Sequence, residues 1–281
     1  MTFIRPTTRT DLSHLYDDEA ACRAALVTLR WPDGFRCSAC GGNRAFTIAT
    51  RSLIVCCACD RQTSVTADTD LHRHHLSLVS WFAAAYLVVT PPGANTTRLM
   101  REISISPRSA AETLARLRQA MARSLGAPLS GVIEADEALF GHKQHQSVVE
   151  VLTEARPDGR VRMGVIPGQT MAILTPFVAS RVMSGSTIRT DGWKGYDGIE
   201  KAGFTHERLV HRAGWVDRGE QSTPYADEAI SAAKRWLLAT YNKPPTADNL
   251  DAYLAEFCFR REYRESGAAF EALLRGLVTP R

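Results

Sequence analysis

Residues 185–196, GSTIRTDGWKGY, determine how the second half of the chain is interpreted. Residues 187–190 are rich in β-branched side chains and predict a short strand, which ends at Asp191. Two glycines and a tryptophan lie just beyond this carboxylate. Asp-Gly is a frequent turn dipeptide, so Asp191 could be a turn residue and no more. It could also be catalytic, because the strand ends of α/β sheets often carry functional side chains.

A cluster of carboxylates lies upstream, in the stretch VIEADEALFG at residues 132–141. The alternation at its start predicts a strand, and this strand carries Glu134, Asp136 and Glu137. Carboxylates placed so close together repel one another. A buried strand tolerates such a cluster only when a cation is near.

The order of elements around these two strands predicts an RNase H-like α/β fold with a mixed central sheet and flanking helices. Three adjacent strands precede a helix, the strand that ends at Asp191, a further strand and two helices. The segments after the first strand are a hairpin at 146–167, a helix at about 170–184, a strand near 207–211, and helices at 225–241 and 248–265. In this fold the first and fourth strands are neighbours, so Asp136 and Asp191 would meet. Two carboxylates placed in this way can bridge a pair of Mg²⁺ ions about 3.5–4 Å apart.

Four of the seven cysteines form two C-x-x-C pairs, Cys37 with Cys40 and Cys56 with Cys59. Fifteen residues separate the pairs, a spacing typical of zinc sites in which two turns supply four thiolates to one ion. The paired spacing and the odd number of cysteines favour metal over disulfides. The residues between the pairs predict two short strands, and the whole predicts a zinc ribbon. A set of buried or redox-active thiols is the alternative.

The region after the ribbon predicts helices. Apolar residues recur at helical spacing over 76–89, and residues 96–125 predict two helices broken at 104–107. A short helix, a tight turn and a longer helix form a helix-turn-helix outline. The second of these helices carries four arginines that are either DNA contacts or a solvated basic face: Arg108, Arg116, Arg118 and Arg123.

Four regions follow from these patterns. Residues 1–33 form an N-terminal helical lead, 34–70 the zinc ribbon, 71–125 the helical, helix-turn-helix-like region, and 126–281 the RNase H-like catalytic domain. The stretch GAPLSG at 126–131 predicts the linker at the last boundary.

Length and composition fit a soluble protein of about two domains. The chain has 281 residues, 44% of them hydrophobic, and a net charge of +4, which is weakly indicative of a polyanionic partner. No apolar run approaches the ~18 residues of a membrane helix, and the N-terminus has no apolar signal core. We therefore expect a cytoplasmic protein without membrane association.

Together the motifs resemble one known family, the zinc-ribbon insertion-sequence transposases of the ISXO-type group, whose catalytic domain belongs to the DDE class. The resemblance spans almost the whole chain and depends on the order and spacing of CSACGG…CCACDRQTSVTADT, IEADEALFGH, GSTIRTDGWKGY, KRWLLATYN and LDAYLAEFCFR. It implies a metal-dependent enzyme that nicks transposon ends and joins them to target DNA. In this family pattern Asp136 matches the first catalytic acid and Asp191 the second.

The resemblance places the third acid on a helix, seven residues before a lysine. That lysine is Lys234, so the third acid is Asp227, with its neighbour Glu228 as the alternative. Seven residues are about two helical turns, so Asp227 and Lys234 share a helix face. Lys234 and Arg235 would contact a DNA phosphate near the metals. A solvated helix start with an acid in its first turn is the structural alternative for Asp227.

The resemblance thus implies a transposase that binds insertion-sequence ends and catalyses two-metal-dependent strand cleavage and strand transfer. Its cofactors would be structural Zn²⁺ on the four cysteines and two catalytic Mg²⁺ or Mn²⁺ ions on Asp136, Asp191 and Asp227. Its partner would be double-stranded DNA, both transposon ends and target, in the nucleoid of a prokaryotic cell. We expect a homodimer or a higher assembly, because two ends must be held together. A DNA-binding protein that has lost catalysis and a nuclease of the same fold are the alternatives.

Overall fold

The computed structural model of the chain describes residues 3–91, 93–142, 145–209, 223–241, 246–264 and 267–281, with the backbone alone at 142 and 145. The chain divides into two compact units. We call residues 1–124 with 265–281 the N-terminal unit, and residues 125–264 the sheet unit. The sequence-based scheme differs from this division in one respect, because it assigned residues 265–281 to the catalytic domain.

The N-terminal unit combines helices with a small antiparallel sheet. Its elements before residue 124 are α1 (Arg9–Leu15), α2 (Glu19–Arg30), β1 (Ala45–Ile48), β2 (Leu53–Cys56), β3 (Gln62–Thr63), α3 (Leu78–Val89), α4 (Thr96–Ile103) and α5 (Pro107–Arg123). Strand β2 pairs antiparallel with both β1 and β3. Strands this short bury little apolar surface, so the small sheet needs support beyond its own packing.

Each of the helices α1 to α5 begins where a side chain accepts a backbone N–H of the first turn, which compensates for the missing intrahelical bonds there. The capping residues are Thr8, Asp18, Ser77, Asn95 and Ser106. After α4, Ser104 adopts a positive φ of 55°, and Ser106 then caps α5 with Pro107 at its first position. The break predicted at 104–107 is therefore confirmed, and α4 and α5 have a helix-turn-helix outline.

The sheet unit is built around five strands. Its elements are β4 (Val132–His142), β5 (His145–Glu154), β6 (Val161–Ile166), α6 (Met171–Ala179), β7 (Thr187–Thr190), β8 (Thr205–Arg208), α7 (Pro224–Thr240) and α8 (Ala247–Glu262). The strand order is β6-β5-β4-β7-β8, with β4 antiparallel to β5 and parallel to β7. The mixed α/β sheet predicted from the sequence is confirmed. The strand expected near 207–211 lies at Thr205–Arg208, and residues 210 and 211 fall outside the described residues.

Both faces of the central strands are covered. Successive side chains of a strand point to opposite faces, and Ile133 and Ala135 pack into the core beneath α6. Val149 and Val151 pack into the core beneath α7 and α8. Polar side chains on these strands are therefore buried with them, and such groups need partners inside the fold.

The last helix, α9 (Ala269–Val278), belongs to the N-terminal unit. Its apolar side chains are buried, and the Phe270 ring contacts Tyr16, Phe82 and Tyr86. This aromatic cluster explains why residues 265–281 group with the N-terminal helices. No helix among the described residues combines the length and the apolar character that crossing a membrane requires.

Candidate metal centre and acidic site

The four paired cysteines converge on one point at the end of the small sheet. The Sγ atoms of Cys37 and Cys59 are 3.7 Å apart, and those of Cys40 and Cys56 are 3.6 Å apart. All four sulfurs lie within 4.8 Å of one another. A tetrahedral ion with Zn–S bonds of about 2.3 Å has edges of about 3.8 Å, so the sulfurs already have the separation that Zn²⁺ requires. The donor set therefore fits a structural zinc ion.

The two cysteine turns have the same backbone construction. In the first, Gly41 N–H donates to the Cys37 carbonyl, and in the second Asp60 N–H donates to the Cys56 carbonyl. Both closing residues have positive φ, 72° at Gly41 and 55° at Asp60. Gly42 is needed for close approach, because a Cβ there would lie 3.2 Å from the Cys56 sulfur and 3.3 Å from the Cys40 sulfur. Each turn thus presents two sulfurs to a common centre.

The thiols of the cysteine cluster differ in acidity. Backbone N–H groups of Cys40 and Ala39 lower the pKa of the Cys37 thiol to about 6. The Arg61 N–H acts in the same direction on Cys59, but the neighbouring thiols and burial raise the pKa of Cys59 to about 12. A divalent cation would displace the protons of these thiols and be held by the thiolates. Cys57 is exposed and lies outside the cluster.

Asp136 and Asp191 lie beside each other across two parallel strands. The pairing of β4 with β7 sets Val132 opposite Thr187 and Glu134 opposite Arg189. Continued by two residues, this register sets Asp136 opposite Asp191, the first residue after β7. The two carboxylates that the sequence separates widely are therefore placed near each other where β7 ends beside the middle of β4, and the charge of Asp191 acts on Asp136.

Asp136 has an acidic environment. Burial raises its pKa to about 6, and the negative charges of Asp191, Asp227 and Glu134 add to the effect. The hydrogen bond that Glu137 N–H donates to Asp136 Oδ1, at 2.8 Å, opposes the shift. Carboxylates from three separate segments thus act on one group, and the site carries negative charge that a cation would neutralise.

Asp191 is both a turn residue and a neighbour of Asp136. Its Oδ1 accepts the N–H of Trp193 at 3.0 Å, and Gly192 has a φ of 93°. The Trp193 indole N–H donates to the Gln169 carbonyl at 3.2 Å. A Cβ on Gly195 would lie 2.5 Å from that carbonyl oxygen and 2.7 Å from the indole nitrogen. The positive φ of the turn therefore accounts for Gly192. The close approach of the indole and the Gln169 carbonyl accounts for Gly195.

Helix α7 supplies the remaining residues of the predicted site. Asp227 lies exposed in its first turn, and its charge acts on Asp136. Glu228 instead pairs with Arg261 at 2.7 Å. The Lys234 Nζ lies 5.2 Å from the centre of the Phe140 ring, above the end of β4. Of the two acids left open by the sequence, Asp227 is the one whose charge reaches Asp136.

The donor atoms of the acids are less tightly gathered than those of the cysteines. Within the described part of the chain, the cysteine cluster is the single group of three or more potential ligands whose donor atoms all lie within 4.8 Å. Asp136, Asp191 and Asp227 are therefore close enough to interact electrostatically without forming a closed coordination sphere. This spacing is compatible with hard cations that retain several waters.

Sequence reasoning missed a buried carboxyl group on β5, that of Glu150. Glu150 is fully buried on β5, directly opposite Glu137 on β4, and accepts the Tyr196 hydroxyl at 2.9 Å. Burial and the Glu137 charge raise the pKa of Glu150 well above its usual value. Burial likewise raises the pKa of Glu137 to about 7. The available signal was an acid inside the apolar run VVEVL, residues 148–152.

These shifted carboxyl groups predict that stability falls as the pH rises. Asp136 and Glu137 ionise near pH 3.8 and 4.5 in an unfolded chain but near 6 and 7 in the fold. Between the unfolded and folded pKa values the folded state binds more protons than the unfolded state. The contribution of these two groups to the free energy of unfolding is therefore complete below about pH 4 and is lost as the pH rises through 6 to 7. We expect the urea midpoint of the zinc-loaded protein, without added Mg²⁺, to fall between pH 5 and pH 8. An Asp136→Asn, Glu137→Gln double variant should show a smaller fall, and equal falls would contradict the assignment.

Two family models match the chain. The ISXO2-like transposase domain matches residues 128–262, and the transposase zinc-ribbon domain matches residues 17–62. No curated protein matches. Among solved structures, the chain is similar to a chain in the cryo-EM structure of the simian T-cell lymphotropic virus intasome in complex with PP2A regulatory subunit B56 gamma. The identity is 15%, the TM-score is 0.33, and the match covers 57% of this chain and 63% of the other.

The family assignment depends on the two family models and not on this structural similarity. They cover the four-cysteine ribbon and the five-stranded sheet, in the order in which the sequence motifs occur. The resemblance inferred from those motifs is confirmed: the chain belongs to the zinc-ribbon transposases with a DDE-type domain.

Proposed function

We propose that this transposase binds the ends of an insertion sequence, cleaves DNA strands there and joins them to target DNA, using two Mg²⁺ or Mn²⁺ ions. The observation that carries the proposal is the placement of Asp191, just after β7, and of Asp227, on α7, where their charges act on partly buried Asp136 of β4. These acids would hold the ions, since Mg²⁺ takes oxygen ligands and keeps waters. Such ions activate an attacking water or 3′-hydroxyl and stabilise the leaving oxygen.

Lys234 has the placement of a phosphate contact. It is exposed, lies two turns along α7 from Asp227, and its ammonium group sits above Phe140. Positive charge on this face would orient the DNA backbone toward the acids without reading its sequence. Arg235 is the next residue and is also exposed.

The arginines of α5 are poor candidates for DNA contacts. Arg116 donates to the carbonyls of Asp70 and His72, and Arg123 pairs with buried Asp70. Arg118 is buried. Arg108 alone of the four is strongly exposed, and it pairs with Glu112 at 3.0 Å. Most of the positive charge on α5 is therefore engaged in contacts within the protein, which argues against a basic face on α5 that binds DNA.

The zinc ribbon offers more accessible positive charge. Residues 34–70 contain four arginines and three acids, Asp60, Asp68 and Asp70, of which Asp70 is buried and paired with Arg123. All four are exposed, and none has an ion-pair partner among the residues that the structure describes: Arg36, Arg44, Arg51 and Arg61. Because unpaired cations are the main source of affinity for the DNA backbone, we assign the principal phosphate contacts of the N-terminal unit to the ribbon.

An Arg36→Gln, Arg61→Gln double variant tests this assignment. Each phosphate contact contributes roughly 0.9 to the slope of log affinity against log salt concentration. We expect the slope to fall by about 2 in magnitude and affinity to drop similarly for all duplex sequences. Fluorescence anisotropy with labelled duplexes over a salt series measures both quantities.

The matched control removes two ion-paired arginines of the same unit. Arg5 pairs with Glu271 and Arg9 with Glu102, so Arg5→Gln, Arg9→Gln makes the same change in net charge outside the ribbon. Equal losses in the two double variants would mean that net charge, and not the ribbon, determines binding.

A further inference from the structure

Glu134 contacts the elements that carry the other two acids of the site. It is fully buried on β4, two residues before Asp136 and so on the same face of the strand. Its Oε2 accepts the backbone N–H of Tyr225 at 2.7 Å and that of Ala226 at 3.1 Å. The next residue along that helix is Asp227. One carboxylate thus joins the strand of Asp136 to the helix turn that presents Asp227.

This contact takes the place of the usual helix cap. Helix α7 begins at Pro224, which has no N–H, and Thr223 makes no side-chain capping bond. The exposed ends of α1 to α5, in contrast, are all capped by a residue next to the helix. The first free N–H groups of α7 are satisfied by a residue more than 90 positions earlier in the chain. A negative charge at this position is also favoured by the helix dipole.

The other oxygen of Glu134 is directed toward the strand of Asp191. Glu134 Oε1 lies 3.6 Å from Arg189 Nη1, and Arg189 is two residues before Asp191 on β7. Arg189 also pairs with Glu207 on β8 at 3.2 Å. Glu134 therefore touches α7 directly and β7 through one ion pair.

We propose that Glu134 is a positioning residue that fixes the distances among Asp136, Asp191 and Asp227. The inference rests on the proposed function and adds a residue to it. Glu134 is not itself a metal ligand in this assignment, because one oxygen holds two N–H groups and the other faces a guanidinium. Groups that orient ligands in this way typically change metal affinity or activity by about 10- to 100-fold when removed.

The test compares three substitutions of Glu134 in the full-length, zinc-loaded protein. In Glu134→Gln the amide oxygen can still accept both N–H bonds, and only the charge that faces Arg189 is lost. Glu134→Ala removes the two bonds, and Glu134→Asp is too short to reach them. We expect the Mg²⁺ concentration for half-maximal cleavage of end DNA to rise at least tenfold, on the order given for such groups, in the Ala and Asp variants. The Gln variant should stay within a few-fold of wild type. MnCl₂ binding measured by calorimetry should follow the same order.

Hydrogen exchange supplies a readout that needs no catalysis. Amides 225 and 226 should exchange faster in the Ala and Asp variants and remain protected in the Gln variant. Glu207→Gln is the matched control, because it removes the other partner of Arg189 and leaves α7 untouched; it should leave both readouts unchanged. If Glu134→Ala fails to fold, the Asp and Gln variants decide.

The outcomes separate this inference from the proposed function. Wild-type metal dependence in the Ala and Asp variants would overturn the positioning role and leave the transposase proposal intact. A Gln variant as impaired as the Ala variant would show that the bonds to α7 do not determine metal affinity, and would also overturn it. Absence of metal-dependent cleavage by the wild-type protein would count against the proposed function, while the exchange data would still report on the bond from Glu134 to α7.

Discussion

Asp191→Asn is expected to reduce Mg²⁺-dependent cleavage of end DNA by about 10³-fold or more. A bound metal supplies several kcal/mol of charge stabilisation in the transition state, and about 1.4 kcal/mol corresponds to a factor of ten in rate. The substitution leaves the local backbone intact, because the asparagine oxygen can still accept the Trp193 N–H that Asp191 accepts at 3.0 Å. The loss would therefore report the missing ligand charge and not a collapsed turn.

The measurement is single-turnover cleavage of a labelled duplex that contains the DNA flanking this gene, with Mg²⁺ and with Mn²⁺. Asp197→Asn is the control, since Asp197 lies in the same exposed segment and pairs with Arg208 outside the acidic site. Cleavage by the wild type and the control, but not by Asp191→Asn, would support the catalytic assignment. Joined products would show that the protein also catalyses strand transfer, and cleavage without joining would favour a nuclease.

Two other results would argue against catalysis at this carboxylate. Full activity in Asp191→Asn would reduce Asp191 to the turn residue that its bond to Trp193 already shows. Specific binding of the end DNA without cleavage by any variant would favour a DNA-binding protein that has lost catalysis. The open spacing of the acids makes this second result informative, because a shared metal must draw their oxygen atoms together.

Cys56→Ser should remove the zinc ion and unfold the ribbon, whereas Cys57→Ser should change neither. The two cysteines are adjacent, but the Cys56 sulfur lies in the cluster and Cys57 is exposed outside it. Structural zinc contributes about 10–16 kcal/mol of apparent binding energy in small zinc domains at neutral pH, far more than three short strands can replace. The expected zinc content is one ion per chain for the wild type and Cys57→Ser, and none for Cys56→Ser.

Metal analysis after gel filtration measures the zinc content, and limited proteolysis followed by mass spectrometry measures folding. Cuts within 37–63 should appear in Cys56→Ser and in wild type treated with a chelator. DNA affinity should fall with the same variants, because the ribbon carries the four exposed arginines. Equal zinc content in the two serine variants would contradict the cluster as the binding site.

The strands of the central sheet could be predicted because the sequence signal for each strand is local. Residues 187–190 and the acid after them mark a strand end, and the order of elements makes β4 and β7 neighbours. The C-x-x-C spacing likewise carries the geometry of its turns, and the structure brings those four sulfurs together. The functional roles of Asp136, Asp191, Asp227 and Lys234 remain predictions that the proposed experiments test.

The contacts that the sequence did not reveal depend on partners far apart in the chain. The sequence places Glu134 in a carboxylate cluster, but nothing local indicates that it binds the backbone of α7. In the sequence, the arginines of α5 cannot be distinguished from a DNA-binding face. The structure distinguishes them, because Arg116 donates hydrogen bonds to the carbonyls of Asp70 and His72.

The return of α9 to the N-terminal unit sets an order of assembly during synthesis. Domains generally fold as units while the chain emerges, the first-made ones earliest. Here the first-made unit lacks Phe270, the ring that Tyr16, Phe82 and Tyr86 surround, until the last helix has been translated. The sheet unit, residues 125–264, is continuous and can close first. A nascent chain stalled before residue 269 would thus lack the helix that completes the N-terminal unit, however far the sheet unit has folded.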